Sequence, residues 1–159
     1  MDKFNILNKD EKQNKPELHS PAQLAFAGDA VYEMLVRAYI VKKFDYNVNK
    51  MHKEAIKFVK AASQAKFIRA LDPILTEEER KIVKRGRNAK ITSAPKNQEV
   101  IDYRYATGFE TLFGYLYLQN ESERILYLFD EILKIVYEGD KNEKNWRKKS
   151  CYWSIKKWY

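Results

Sequence analysis

Glycine stands inside two segments whose residues otherwise repeat at helical spacing, and this constrains the chain more than its composition does. The first segment, LAFAGDAVYEMLV from Leu24 to Val36, sets Leu24, Val31 and Leu35 on one face, with Ala38 beyond them. Phe26, Ala27 and Met34 widen the apolar stripe, which predicts a largely buried helix. The second segment runs through Val100, Tyr103, Phe109, Leu112, Phe113 and Leu116 and carries Gly108 and Gly114. A glycine in a helix interior gives up about 1 kcal/mol against alanine, and glycines inside two helices are what a close backbone approach between them requires. Asp29 follows Gly28, and Glu110 lies between Gly108 and Gly114. If the two helices cross at their glycines, these carboxylates face each other in one shallow cleft. Facing carboxylates repel unless a cation joins them, and a magnesium ion held by one or two carboxylates plus waters fits that need. Periodicity alone leaves open the alternative of two unrelated surface acids.

Start and stop signals divide the rest of the chain. Ser20, Pro21 and Gln23 form a helix start, with a capping hydroxyl, a proline at the first helical position and a reciprocal glutamine, so a helix is predicted from about 21 to 43. Asn49 is the expected cap of a second helix, where Met51, Ala55, Val59, Ala62, Ala65 and Ile68 mark the buried stripe until Asp72 and Pro73 end it. Thr76 followed by Glu77, Glu78 and Glu79 starts a third, expected to stop at Gly86. Residues through Ser93 and Pro95 are predicted to form a loop, the fourth helix to reach about Leu118, and a last one to run from Glu121 to about Glu138, closed by Gly139. No strand, hairpin or repeat signal is present. The expectation is therefore an all-α domain of five main helices over 20–139, with a flexible segment at 1–19 and a basic aromatic tail at 140–159.

The hydrophobic content of 45% over 159 residues suffices for one core of ordinary size. No apolar run approaches the length needed to span a bilayer, and the first twenty residues lack the apolar centre of a signal peptide, so a cytoplasmic protein without a membrane partner is expected. Cys151 is alone, and with only His19 and His52 beside it no zinc-ligand cluster is recognisable; a catalytic metal would be held by oxygen. The net charge of +8 is unevenly spread. Residues 141–159 carry Lys141, Lys144, Arg147, Lys148, Lys149, Lys156 and Lys157 against Glu143 alone, a net +6 that leaves +2 for the rest. A second island, KRGRNAKITSAPKNQ from Lys84 to Gln98, holds five cations and no acid. Such clusters suit a polyphosphate partner.

With these residues in view, LAFAGDAVYE resembles the signature helix of the ribonuclease III family. KRGRNAK, PKN and YRYATGFETLFGYLYL together are similar to its small bacterial branch, the Mini-ribonuclease III enzymes, and HKEAIKFVKAASQA between them is similar too. The resemblance spans about Leu24 to Leu118 with several motifs in order. It implies an all-helical endoribonuclease domain that acts as a homodimer on double-stranded RNA with Mg2+, in this branch on the precursor of 23S ribosomal RNA, with a large-subunit ribosomal protein as a candidate partner. By position, Asp29 matches the signature-helix aspartate and Glu110 the glutamate of the second acidic motif, which makes them the expected catalytic and metal-binding pair. Members of the wider family carry further acids four residues before that aspartate and three before that glutamate; here Ala25 and Thr107 occupy those places, as in the Mini branch, which argues against a two-metal site held wholly by protein.

Glu33, one turn after Asp29, and Thr107 are candidates to act on a bound ion through water. About 40 residues follow Leu118, and most are needed for the last helix, so no double-stranded-RNA-binding domain is expected there. Grip on RNA is then assigned to Arg85, Arg87, Lys90 and Lys96 of the basic loop, with Asn88 and Asn97 as further donors, since an A-form duplex is recognised chiefly through shape, phosphates and 2′-hydroxyls. Trp146, Tyr152, Trp153, Trp158 and Tyr159 of the tail are assigned to auxiliary RNA contact. Tyr103, Arg104 and Tyr105 are read as helix packing or dimer interface. Two other classes compete: a catalytically silent RNA-binding or ribosome-assembly dimer on the same fold, and a helical nucleotide pyrophosphohydrolase, which would require more clustered acids than Asp29 and Glu33.

Overall fold

The computed structural model describes residues 16–90 and 98–138, and every regular element among them is helical. After a short 3-10 turn at Pro16–Leu18, α1 runs from Pro21–Lys43. Its capping box is formed: the Ser20 hydroxyl accepts from the Gln23 N–H at 3.2 Å, and the Gln23 side chain accepts from the Ser20 N–H at 2.9 Å. The Thr76 box that starts α4, Glu77–Arg87, is closed in the same way at 3.1 and 2.8 Å. α5 spans Gln98–Leu118, and α6, Ser122–Glu138, follows a turn in which Asn120 takes a positive φ of 62°. Gly139 and the basic aromatic tail lie outside the described residues.

The expected second helix is two. α2, Val48–Val59, is capped by Asn47, two residues before Asn49, whose side chain accepts from the Lys50 N–H at 3.0 Å. Lys60 then turns extended (φ −65°, ψ 145°), and α3, Ala61–Leu71, starts from its carbonyl, which accepts from Ser63 at 2.8 Å and Gln64 at 3.1 Å. No glycine or proline marks this break, and Lys-Ala-Ala favours helix. Its cause is tertiary: the turn lets Phe58, fully buried at the end of α2, pack near Tyr39, while α3 redirects its buried face toward α5. Six α-helices therefore stand among the described residues where five were expected.

α5 is the axis of the fold, with α1, α3, α4 and α6 all packed on it. Phe109, Leu112 and Phe113 on α5 are fully buried, and the two phenylalanines meet Tyr32 of α1, which is 0% exposed. The Tyr32 ring lies edge-on to Phe109 and Phe113 at centroid distances of 4.7 and 5.2 Å, the preferred geometry for ring quadrupoles. Ile125, Leu128 and Ile132 of α6 complete the same core.

The expected crossing is present where α1 meets α5. A Cβ added to Gly28 would fall on the Glu110 carbonyl oxygen and 2.6 Å from the Gly114 nitrogen, and one added to Gly114 would fall on the Leu24 carbonyl. Gly108 belongs elsewhere. It faces α4, where a Cβ would lie 2.9 Å from the Val83 carbonyl, while a Cβ on Gly86 would lie 2.8 Å from the Gly108 Cα. α4 accordingly continues through the buried Gly86 to Arg87 instead of stopping there. At this position glycine permits contact between helices; it does not end one.

Candidate active site

The α1–α5 crossing fixes the site because it is made by backbone. Glu110 presents its carbonyl against Gly28, and Asp29, the next residue of α1, lies near enough for its charge to act on the Glu110 carboxyl. Asp29 is exposed and Glu110 lies deeper. Burial, and after it the Asp29 charge, pushes the Glu110 carboxyl up to about 7. Burial, and then Glu33, also raises Asp29. Among the described residues no lysine or arginine forms an ion pair with either acid.

This donor set fits a hard divalent cation: two facing carboxylates without a cationic side chain between them, and room for water on the Asp29 side. No three His, Cys, Asp or Glu side chains among the described residues come together as a cation site, so water would complete the coordination of an ion held by this pair. Glu33 is drawn aside by Arg37, whose guanidinium donates to it at 3.0 Å. Thr107 donates to the Tyr103 carbonyl at 3.0 Å, and its own carbonyl accepts from Thr111 at 2.6 Å, so its hydroxyl is spent within α5.

Comparison with known proteins gives the family. The Ribonuclease III domain family matches residues 22–121, a span that contains both Asp29 and Glu110. Mini-ribonuclease 3 of Clostridium tetani is 48% identical over 133 residues, 83% of this chain and 87% of its own length. Its counterpart from Brevibacillus brevis is 46% identical over 134 residues, 84% of this chain and 99% of its own. The chain belongs to the ribonuclease III family, in its Mini-ribonuclease III branch. A crystal structure of a Fusobacterium nucleatum protein shares the fold with a TM-score of 0.67 at 31% identity, covering 72% of this chain and 93% of that one. As a ribonuclease III domain, the protein is an endoribonuclease.

The basic residues of this ribonuclease III domain are placed differently from the expectation. Arg85 and Arg87 lie in the last turn of α4, not on a loop. Arg85 donates to the His19 carbonyl at 2.9 Å, tying the segment before α1 to α4. Arg87 lies over the Tyr105 ring at 3.9 Å, and Arg69 of α3 approaches the same ring at 4.1 Å while pairing with Asp102 at 3.1 Å. Tyr105 thus packs against two guanidinium groups, which agrees with its assignment to packing. Lys90 is exposed just beyond α4, and Lys96 and Asn97 lie outside the described residues.

Sequence reasoning missed Gln64. It is 1% exposed on α3 where α3 packs on α5, one turn before Phe67, whose ring lies 6.4 Å from that of Phe109; its amide favours the charged form of Glu110, and its Nε2 has no hydrogen-bond partner among the described residues. The available signal was its spacing, three and four residues before the buried Phe67 and Ile68 and hence on the inner face of α3.

Proposed function

We propose that the protein is a magnesium-dependent endoribonuclease that cleaves double-stranded RNA by phosphodiester hydrolysis as a homodimer, with the precursor of 23S ribosomal RNA as its substrate. The observation that carries this reading is the juxtaposition of Asp29 and Glu110 across the glycine crossing. In this reading Asp29 and Glu110 hold the ion, and Glu110 yields its proton as the ion binds. A bound divalent ion supplies an activated water and offsets charge growing on the phosphate and the departing sugar oxygen. Lys90, exposed just beyond α4, is a candidate for a phosphate contact, and Arg85 and Arg87 contribute positive field from the end of α4. A silent RNA-binding module would gain nothing from paired carboxylates facing phosphates.

Phe26 supports the dimer. It is 85% exposed on α1, three residues before Asp29, and Met34, Ile101 and Tyr103 are also open at 43%, 47% and 41%. A second copy that covered Phe26 would set two sites under one twofold axis, one for each strand of a duplex. The test is cleavage of end-labelled double-stranded and single-stranded RNA, including the paired stem of precursor large-subunit ribosomal RNA, with magnesium or with chelator. Duplex-only, magnesium-dependent cutting that is lost in Glu110→Gln is expected. Cutting that survives chelation or the Glu110→Gln change would refute the assignment.

A further inference from the structure

We propose that Gln64 is a positioning residue for the metal site: its buried side-chain amide holds the Glu110 carboxylate in the orientation at which Glu110 and Asp29 share one divalent cation. The proposal rests on the reading of Asp29 and Glu110 as cation ligands, and extends it to a residue outside the motifs that revealed them.

Three observations carry it. Gln64 is the polar residue among the large side chains that are almost fully buried, at 1% exposure. Its Nε2 has no hydrogen-bond partner among the described residues, although buried amides in folded proteins nearly always have one. Glu110 is the acceptor beside it: α3 packs on α5, and Phe67, one turn after Gln64, lies 6.4 Å by ring centroid from Phe109, the neighbour of Glu110, whose carboxyl feels the Gln64 amide. An amide NH2 group is a donor only, and an ionised carboxylate an acceptor only, so the contact is complementary to Glu110 in the state a cation requires. Groups that hydrogen-bond a ligating carboxylate fix its orientation and tune the affinity of the site.

The local fold places Gln64 firmly. The Lys60 break starts α3, and the Gln64 N–H donates to the Lys60 carbonyl at 3.1 Å beside the Ser63 bond at 2.8 Å, so the backbone beneath the amide is tied to the start of the helix. Ala65, Phe67 and Ile68 are buried on either side of it in sequence. The amide therefore cannot swing to solvent to find another partner.

The experiment measures Mn2+ binding to RNA-free protein by calorimetry, together with melting temperatures in chelator, for wild type, Gln64→Met, Gln64→Leu and Asp29→Asn. Methionine nearly matches glutamine in length, and leucine guards against a packing failure peculiar to methionine. Mn2+ affinity is expected to fall about tenfold or more in both apolar variants. Their melting temperature in chelator should hold or rise, because an unsatisfied buried amide has been removed. Unchanged Mn2+ affinity in either folded variant overturns the proposal, and a lowered melting temperature with unchanged affinity identifies Gln64 as purely structural. The Asp29→Asn arm separates the two levels of the argument. If it loses Mn2+ while Gln64→Met and Gln64→Leu keep it, only the role of Gln64 fails; if Asp29→Asn itself binds Mn2+ like wild type, the carboxylate pair is not the metal site and the inference about Gln64 falls with it.

Discussion

At the scale of single residues, two pairs of charged side chains behave in opposite ways. Asp29 and Glu110 repel, whereas Glu79, 5% exposed, receives two bonds from Arg124 at 2.8 and 2.9 Å, and Arg124 also donates to the Ile74 carbonyl at 2.8 Å. Asp29→Asn is expected to abolish cleavage while leaving the melting temperature in chelator level or higher, since one repelling charge is gone and the shape is kept. Arg124→Ala is expected to cost roughly 3 kcal/mol by urea denaturation, because it strands a buried carboxylate. A large stability loss in Asp29→Asn without metal would mark that aspartate as structural. Burial of Glu110, and after it the same repulsion, gives a pH dependence. The Glu110 carboxyl is raised from 4.5 to about 7 in the folded protein, so its contribution to stability is fully present below about pH 4.5 and is lost as pH rises through 7. The full shift corresponds to at most roughly 3 kcal/mol. Melting temperatures in chelator should therefore fall between pH 5 and 8, the fall should flatten in Glu110→Gln, and magnesium should restore the loss at pH 8. A melting temperature that rises across that window in chelator would contradict the raised Glu110 carboxyl.

At the scale of elements, the site depends on how closely two helices approach. Gly28 and Gly114 meet carbonyl oxygens and backbone nitrogens across the crossing, and these cannot turn away as a side-chain tip could. Gly28→Ala should therefore force α1 and α5 apart at a cost of about 3 kcal/mol, despite the gain in helix propensity. Denaturant titration in chelator measures the loss, and Mn2+ calorimetry should show weakened binding because Asp29 and Glu110 move with their helices. An alanine variant as stable as wild type would mean that the crossing is looser than its glycines imply. The Lys60 break belongs to this scale as well, since it starts the helix that buries Gln64 against α5.

At the scale of the whole molecule, one chain closes its own core, and Phe26 is the most exposed large hydrophobic side chain among the described residues. A phenylalanine with 85% of its surface in water leaves most of its hydrophobic stabilisation unrealised. Light scattering is expected to give twice the 18.9 kDa chain mass for wild type and a single chain mass for Phe26→Arg. The arginine variant should melt as a folded protein, because the position makes no contribution to the core of its own chain. A wild-type protein that remains at one chain mass at micromolar concentration would remove the dimer.

The sequence by itself determined the features whose causes lie within three or four residues. Ser20 with Gln23 and Thr76 with Glu79 set two helix starts because each box closes on its own backbone. The apolar period fixed the all-α class, and Gly28 with Gly114 exposed the crossing because only a backbone contact justifies their cost in a helix. Tertiary structure alone decided the rest. Lys60 is extended although its neighbours favour helix, Gly86 continues α4 because Thr111 and Gly108 press against it, and Arg85 is held by His19, 66 residues away in sequence. Gln64 became part of the site through burial against a helix far along the chain. Caps and periods are local and repeat in any chain, whereas these placements follow from which distant surfaces come to fill the same space, and no local signal encodes that.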